Sequence, residues 1–236
     1  SQPGFEKISG QIKGDESLGA IELSGQDFNV KASALFDKPI FLNKFHSIVG
    51  WQQLTDKWLL STQSLALDCP AFKSESRLLL KLPKNEQSPF IDLQTSLKSD
   101  DLGQIKNYLP TNIIKPIIKN WLEPAFVGGK ITKGDLLFYG KANDFPFAKG
   151  TGVFEAAIDL DKLELNFNPE WLHLTEVNGR VRFERTDIVA SLKSGKIGKA
   201  KINKADALIP GLGSNDERLF IKGEAEGDMS DVLNVL

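Results

Sequence analysis

The sequence predicts a mainly β protein: an elongated, twisted, incompletely closed antiparallel β groove, taco-like in section, with an inserted pair of short helices. Three observations predict this fold. Apolar residues alternate with polar residues through most of the chain, which is the period of a half-buried strand. Helical spacing is confined to residues 99–124. Phe outnumbers Tyr by 15 to 2, so the apolar surface consists largely of side chains without hydrogen-bonding tips.

These patterns divide the chain into a β-rich segment 1–98, a helical pair 99–124 and a β-rich segment 125–236. We expect one continuous structural unit, because no Pro/Gly/Ser-rich linker is long enough to separate two domains. The first residues, Ser1 to Gly4, and the last, Asn234 to Leu236, interrupt the pattern as if the chain had been cut from a longer protein.

In the segment 1–98, alternating apolar runs are separated by turn residues and predict successive strands. Ile21 and Leu23 form a run that continues on one face past a predicted turn at residues 24–27. The following runs contain Phe28 and Val30, Trp58 and Leu60, Leu65 and Leu67, Leu78, Leu80 and Leu82, and Ile91, Leu93 and Leu97.

Two helices are predicted between residues 99 and 124. Ser99 or Asp100 can cap the first, in which Leu102, Ile105 and Leu109 follow helical spacing. Thr111 can cap the second, which carries an apolar stripe from Ile113 to Leu122. Its expected place is against the sheet, although such a stripe could also cap the groove or dock on a membrane.

The centre of the chain carries two alternating runs. The first contains Phe154, Ala156, Ile158 and Leu160, and the second contains Leu163, Leu165 and Phe167. The short Asp161-Lys162 corner between them predicts an antiparallel hairpin. Further on, charged residues such as Arg180 and Arg182 alternate with Val181 and Phe183, which predicts a charged outer face and an aliphatic inner face.

A short pattern recurs three times: an apolar residue, then Ile or Val three positions on, then Gly two positions later. It occurs at Phe5-Ile8-Gly10, Phe45-Ile48-Gly50 and Leu174-Val177-Gly179. Each instance predicts a strand, a bulge or bend at the glycine, and a returning strand.

Composition and motifs exclude several functions. A formal net charge of -2 disfavours a nucleic-acid binder, so no nucleic-acid partner is expected. The single cysteine, Cys69, excludes an internal disulfide, and His46 and His173 lie far apart, so neither a metal site nor another cofactor is predicted. No serine has the local context of a catalytic nucleophile, and no apolar run approaches the roughly 20 residues of a membrane-spanning helix.

One set of motifs resembles a known family. The residues are Tyr108-Leu-Pro, Trp121-Leu122, Phe126-Val-Gly-Gly129, Gly134, Gly140, Asp144-Phe-Pro-Phe147, Gly152-Val-Phe154, Trp171 and Val177-Asn-Gly179. In order and spacing they resemble the AsmA-like superfamily, and within it the YhdP branch. These are large envelope proteins of Gram-negative bacteria, anchored in the inner membrane, with long β-rich bodies in the periplasm.

The resemblance implies a non-enzymatic segment of a bridge-like transporter, which carries phospholipid acyl chains in an apolar β groove across the periplasm, between inner and outer membranes. The implied partners are the acyl chains, the rest of the parent chain at both ends, and the two membrane surfaces or other envelope proteins. Alternation assigns the lining to Phe28, Val30, Leu65, Leu67, Leu78, Leu80, Ile91, Leu93, Leu136, Phe138, Phe154, Ile158, Leu165, Phe167, Phe183 and Leu192.

Two other classes stay open at this point. The chain could be a structural or adhesive β module with a closed core, which would bind protein or glycan through its charged face. A glycan hydrolase would require two carboxylates facing one cleft about 5 to 9.5 Å apart.

Overall fold

The structure, a computed structural model, describes residues 4–5, 7–33, 36–85, 88–109, 112, 120, 123–167, 172–211 and 218–227. These residues form one antiparallel sheet of thirteen strands. The strands are β1 (Gly4–Phe5), β2 (Ile8–Gly14), β3 (Leu18–Lys31), β4 (Ile40–Gln53), β5 (Lys57–Asp68), β6 (Lys73–Pro83), β7 (Phe90–Ser99), β8 (Phe126–Lys141), β9 (Val153–Leu165), β10 (Leu174–Glu184), β11 (Asp187–Ile197), β12 (Ala200–Ile209) and β13 (Phe220–Glu226).

The sheet is a meander in which strands pair with their neighbours in the chain. From β3 to β13 the spatial order follows the sequence order, and β1 and β2 both pair with the free side of β3. Within the described residues, β13 at the other edge pairs only with β12, so the sheet is not closed. The predicted mainly β, antiparallel and incompletely closed architecture is therefore confirmed.

Most strands are longer than the sequence patterns predicted, because several predicted turns are β-bulges. The hairpin predicted at Asp161-Lys162 is wrong: β9 runs unbroken from Val153 to Leu165, with Lys162 in the left-handed region at φ 50°. The turn predicted at residues 24–27 is also wrong, since β3 continues through Asp27 at φ 48°. The apolar residues change from even to odd positions at Lys162 and from odd to even positions at Asp27, and the chain does not reverse at either point.

The recurrent glycine pattern marks bulges of the same kind. Register shifts fall between Ser47 and Gly50 in β4 and between Leu174 and Gly179 in β10. In the first instance Lys7, at φ 59°, separates β1 from β2 along one side of β3. A register shift is thus present in β4 and β10, whereas the pairing of β2 with β3 is regular through Gly10. Each strand continues past its glycine, and the expected returning strand follows it as β3, β5 or β11.

The side chain of Asn178 joins bulged segments of three neighbouring strands. Its amide oxygen accepts a hydrogen bond from the backbone N–H of Lys162 in β9 at 3.1 Å. Its amide nitrogen donates to the carbonyl of Glu176 in β10 at 3.1 Å and to Oγ of Ser194 in β11 at 3.0 Å. Glu176 itself has φ 53°. One amide thus satisfies polar groups that the bulges remove from the regular ladder.

The connection between β7 and β8 contains a 3₁₀ helix, Leu102–Tyr108, which we call the bridging helix. Its cap is Asp101, whose carboxylate accepts a hydrogen bond from the Gly103 N–H, and not Ser99 or Asp100 as predicted. The predicted second helix lies largely outside the described residues, although Asn120 and residues 123–125 are helical. A second 3₁₀ turn, Ala142–Asp144, follows β8. In the part of the chain that the structure covers, no helix combines the length and apolarity needed to cross a membrane.

Buried apolar side chains form two clusters. The first contains Phe28, Leu42, Cys69 and Ala71. The second contains Leu102 of the bridging helix together with Ile131, Leu163 and Val177 of β8, β9 and β10. Other buried side chains, such as that of Phe147, lie outside both clusters.

Candidate functional site

Strand register divides the sheet into two faces, because residues directly opposite in neighbouring strands point to the same side. One face, the apolar face, contains an unbroken row of opposed residues from β2 to β13. The row is Ile8, Gly25, Phe45, Leu67, Ser74, Leu97, Gly134, Ile158, Val181, Ala190, Ala207 and Ile221. Ser74 is its only polar member. At about 4.8 Å per strand, the row runs roughly 50 Å across the sheet.

The structure brings most of the predicted lining residues together on this face. Leu78, Leu93, Phe138 and Phe154 are directly opposite one another across β6 to β9. Neighbouring positions of the same face hold Leu65, Leu67, Leu80, Ile91, Leu136, Ile158, Leu165, Phe183 and Leu192. Phe28 is buried in the first cluster with Val30 packed on it, and Phe167 lies just beyond β9. Their role in holding lipid stays a prediction.

Burial along the apolar face is uneven. Leu78, Leu80, Leu93 and Leu136, in the middle of the sheet, are half-buried and belong to neither buried cluster. A core residue of an ordinary closed domain is almost completely buried and touches many neighbours. The described part of the protein therefore covers the middle of its own apolar face only in part.

Four hydroxyl-bearing side chains on the apolar face are hydrogen-bonded in pairs. Hydroxyls of Ser47 and Thr62 lie 3.0 Å apart, and those of Ser76 and Thr95 lie 2.9 Å apart. Thr62 also donates a hydrogen bond to the carbonyl of Ser64 at 2.9 Å. A hydroxyl that is already hydrogen-bonded costs little to cover with hydrocarbon, whereas an unpaired one costs about 1–3 kcal/mol. These residues therefore keep the face compatible with an apolar ligand.

The bridging helix covers one margin of the apolar face. At its start, Leu102 is buried against Ile131, Leu163 and Val177, and Ile105 packs on the same cluster. At its end, the Tyr108 hydroxyl donates to the carbonyl of Phe41 in β4 at 2.9 Å. The helix thus extends over several strands at this margin.

Tyr108 is desolvated at this contact. Its ring packs edge-on against Phe72, with 5.6 Å between ring centroids. Desolvation, and secondarily the nearby Cys69, raises the pKa of Tyr108 to about 12. Burial also raises the pKa of the Cys69 thiol, which donates to the carbonyl of Phe72. Both groups are therefore held in their neutral, protonated forms.

The opposite margin carries an aromatic cluster of which the predicted lining included only Phe138 and Phe154. Residues 142–152, between β8 and β9, form what we call the Phe145 loop. Phe145 stacks on Phe138, with ring centroids 5.8 Å apart, and meets Phe154 edge-on at 5.2 Å. Phe147 also packs against Phe138, at 5.1 Å. The Phe-Pro-Phe motif contributes to the family resemblance. Phe145 and Phe147 were not assigned to the predicted lining, because the motif does not alternate as the residues of a strand do.

The other face, the polar face, contains charged rows as well as apolar residues such as Leu79 and Tyr139. Lys44, Asp68, Lys73 and Lys98 are directly opposite one another across β4 to β7. The carboxylate of Asp68 accepts from the Asn43 amide at 3.0 Å and lies 3.1 Å from Lys73 Nζ. The Asn43 hydrogen bond is the main reason that the pKa of Asp68 is lowered, with Lys73 adding to it.

A wide depression of about 1790 Å³ is lined by residues of both faces, with Phe45 and Leu97 as well as Lys44, Lys98 and Asp135 among them. The charged rows described above belong to the polar face alone. Desolvating such charges against hydrocarbon would be costly. Of the two faces, the apolar face is therefore the candidate site for an apolar ligand. Among the described residues, no group of three potential ligand side chains is arranged to hold a metal ion.

The fold and the apolar face define the class: an open, antiparallel β-groove protein with one continuous apolar surface. The chain belongs to the YhdP family, whose model, described as YhdP protein, matches residues 1–236. This confirms the resemblance drawn from the motifs. The chain is also 21% identical over 225 residues to the intermembrane phospholipid transporter YhdP of Escherichia coli (strain K12), a match that covers 95% of this chain.

The chain spans only 18% of the length of that relative. It therefore corresponds to one part of a much longer protein. No solved structure matches the chain.

Proposed function

We propose that this chain is a non-enzymatic segment of a phospholipid transporter, and that acyl chains lie on the apolar face of its sheet. The observation that carries the proposal is the row of opposed residues from Ile8 to Ile221, which is apolar except at Ser74, together with the incomplete burial of Leu78, Leu80 and Leu93. A folded protein rarely leaves so continuous an apolar surface without a ligand or partner.

The energetics favour a continuous face over a discrete pocket. Each CH₂ group withdrawn from water contributes about 0.8 kcal/mol, so an acyl chain crossing the aqueous space unshielded would face a prohibitive cost. Along the row, each new position offers the chain nearly the same apolar environment. Movement from strand to strand then changes the free energy little, which suits transport better than tight binding.

Family membership supports the cellular setting. The Escherichia coli relative is named an intermembrane phospholipid transporter. By analogy, this chain works in the periplasm of a Gram-negative bacterium as part of a parent protein anchored in the inner membrane. Its partners are phospholipid acyl chains, the rest of that parent chain at both ends, and the inner- and outer-membrane surfaces or envelope proteins.

The test is native mass spectrometry of the gently purified protein, combined with a substitution on each face. Leu79 and Leu80 are neighbours in β6; Leu80 is opposite Ile91 on the apolar face, and Leu79 is opposite Asp92 on the polar face. We expect Leu80→Gln to reduce co-purifying phospholipid roughly tenfold, because an unpaired amide against hydrocarbon costs about 1–3 kcal/mol. Leu79→Gln should leave the lipid bound.

Thermal melting of both variants shows whether the sheet remains folded. If Leu80→Gln stays folded and loses lipid while Leu79→Gln retains it, the apolar face is the lipid-bearing surface. If the wild-type protein carries no phospholipid and Leu80→Gln simply unfolds, the residue belongs to a closed core. The structural or adhesive β module would then be the better interpretation.

A further inference from the structure

Two separate parts of the chain fold over the apolar face at the same strand, β8. Before β8, the bridging helix places Leu102 and Ile105 on the cluster that contains Ile131. After β8, the Phe145 loop places Phe145 on Phe138. Between these covered positions the apolar face of β8 presents Gly134 and Leu136, which lie opposite Ile158 and Ala156 of β9.

The stretch of β8 between the two covered positions is about half of the sixteen-residue strand. Ile131 and Phe138 are seven positions apart in the chain, which corresponds to roughly 23 Å at about 3.3 Å per residue. Within this stretch Gly134 is buried under Leu97 and Ala156 is also buried, whereas Leu136 and Ile158 are half-buried and form its accessible surface. The apolar face is therefore bounded on both sides at this position.

The Phe145 loop has a buried anchor and an exposed tip. Phe147 is 0% exposed and has φ 63°, whereas Phe145 is 50% exposed. Gly140 and Gly152 make room for the anchor, because a Cβ at either position would lie 2.6 Å from the Phe147 ring. The anchor is thus tightly packed, while the tip rests on Phe138 and Phe154 with one side open to solvent.

We propose that Phe145 is a lipid-contacting residue that forms one wall of a constriction at β8, with the bridging helix as the opposite wall. An acyl chain that moves along the apolar face passes over Leu136 and Ile158 and packs against the Phe145 ring. This proposal rests on the proposed function and specifies where, within the sheet, the apolar face is bounded on both sides.

The experiment is site-specific photo-crosslinking in the full-length protein. The photoreactive residue p-benzoyl-phenylalanine replaces Phe145, Tyr139 or Leu80 in turn, and the probe is phosphatidylethanolamine with a radiolabelled headgroup. Tyr139 is the matched control, because it is an aromatic residue of similar exposure, 48%, at the same end of β8 but opposite Asp92 on the polar face. Leu80 reports on the apolar face itself.

Crosslinking from positions 145 and 80, at least tenfold above position 139, supports the constriction. Crosslinking from position 80 without any from position 145 overturns the role of Phe145 and leaves the proposed function standing. Absence of crosslinking at position 80 contradicts the proposed function instead. These outcomes separate the two proposals.

A second measurement tests whether the ring acts as a wall. Phe145→Leu retains an apolar side chain and should keep phospholipid transfer within about twofold of wild type. Phe145→Asp places a charge beside the passage and should reduce transfer at least tenfold in protein that a melting curve shows to be folded at the assay temperature. Equal transfer by wild type and Phe145→Asp would overturn the proposal, because a charge in contact with passing hydrocarbon must slow it.

Discussion

Tyr108 links the bridging helix to the sheet by a single hydrogen bond, and this contact is sensitive to pH. Its hydroxyl donates to the Phe41 carbonyl, and desolvation raises the pKa of the group to about 12. The unfolded chain has the ordinary tyrosine value of about 10. The folded state therefore holds the proton more tightly than the unfolded state does. The contribution of the Tyr108 hydroxyl to stability is complete below pH 10 and is lost as the pH rises towards 12.

We predict that Tyr108→Phe lowers the free energy of unfolding at pH 8 by about 0.5–1.5 kcal/mol, the net value of one hydrogen bond. The variant should also show a smaller loss of stability between pH 10 and 11 than wild type. Urea titrations at these pH values measure both effects. Tyr139→Phe, at the chain's other tyrosine, is the control, and an equal alkaline loss in wild type and Tyr108→Phe would refute the assignment.

Individual residues also show where prediction from sequence reaches its limit. Alternation placed Leu78, Leu93, Phe138 and Phe154 on one face, and the register brings them opposite one another. Phe145 and Phe147 were missed, because a loop residue reaches the apolar face through tertiary folding and leaves no period in the sequence. Only the concentration of aromatic residues around Pro146 could have indicated that the loop packs on the sheet.

Among the elements, the long bulged strands are the main departure from the sequence interpretation. A shift of the apolar residues from even to odd positions, as at Lys162, occurs both at a tight turn and at a bulge. The two differ in whether the chain reverses, and that depends on contacts with the neighbouring strands. For β9 the deciding contact is the hydrogen bond from the Lys162 N–H to the side chain of Asn178, which lies 16 positions later in the chain. A local pattern cannot contain this information.

Asn178 is therefore expected to matter more for stability than an exposed asparagine. We predict that Asn178→Ala lowers the free energy of unfolding by about 1–3 kcal/mol, because it removes three hydrogen bonds that satisfy the bulges of β9, β10 and β11. Asn203→Ala is the control, since Asn203 donates only to Glu226 of the edge strand. Urea denaturation compares the two variants, and equal losses would show that the bulges do not depend on Asn178.

For the whole molecule, the open edges of the sheet are the most informative feature. Ile12 of β2 and Ile221 of β13 lie on the apolar face at opposite edges and are 68% and 58% exposed. Exposed edge strands with apolar side chains favour pairing with further strands. The succession of strands along the chain was predictable from the successive alternating runs. The incomplete burial was not, because it depends on how the assembled sheet curves and on which segments pack over it.

We predict that segments of the parent chain pair with β2 and β13. Amide hydrogen exchange in those strands should then be much slower in the full-length protein than in this chain alone. Central strands such as β6 and β7 are the internal control, because both of their sides are already paired. Exchange at β2 and β13 that is equally fast in both forms would show that the edges remain free.

The meander also has an evolutionary consequence. From β3 to β13, each strand pairs with the strands that precede and follow it in the chain. Duplication or deletion of one hairpin therefore leaves the remaining strand pairings intact. Such a polypeptide can lengthen or shorten in steps of two strands without redesign of the parts already in place.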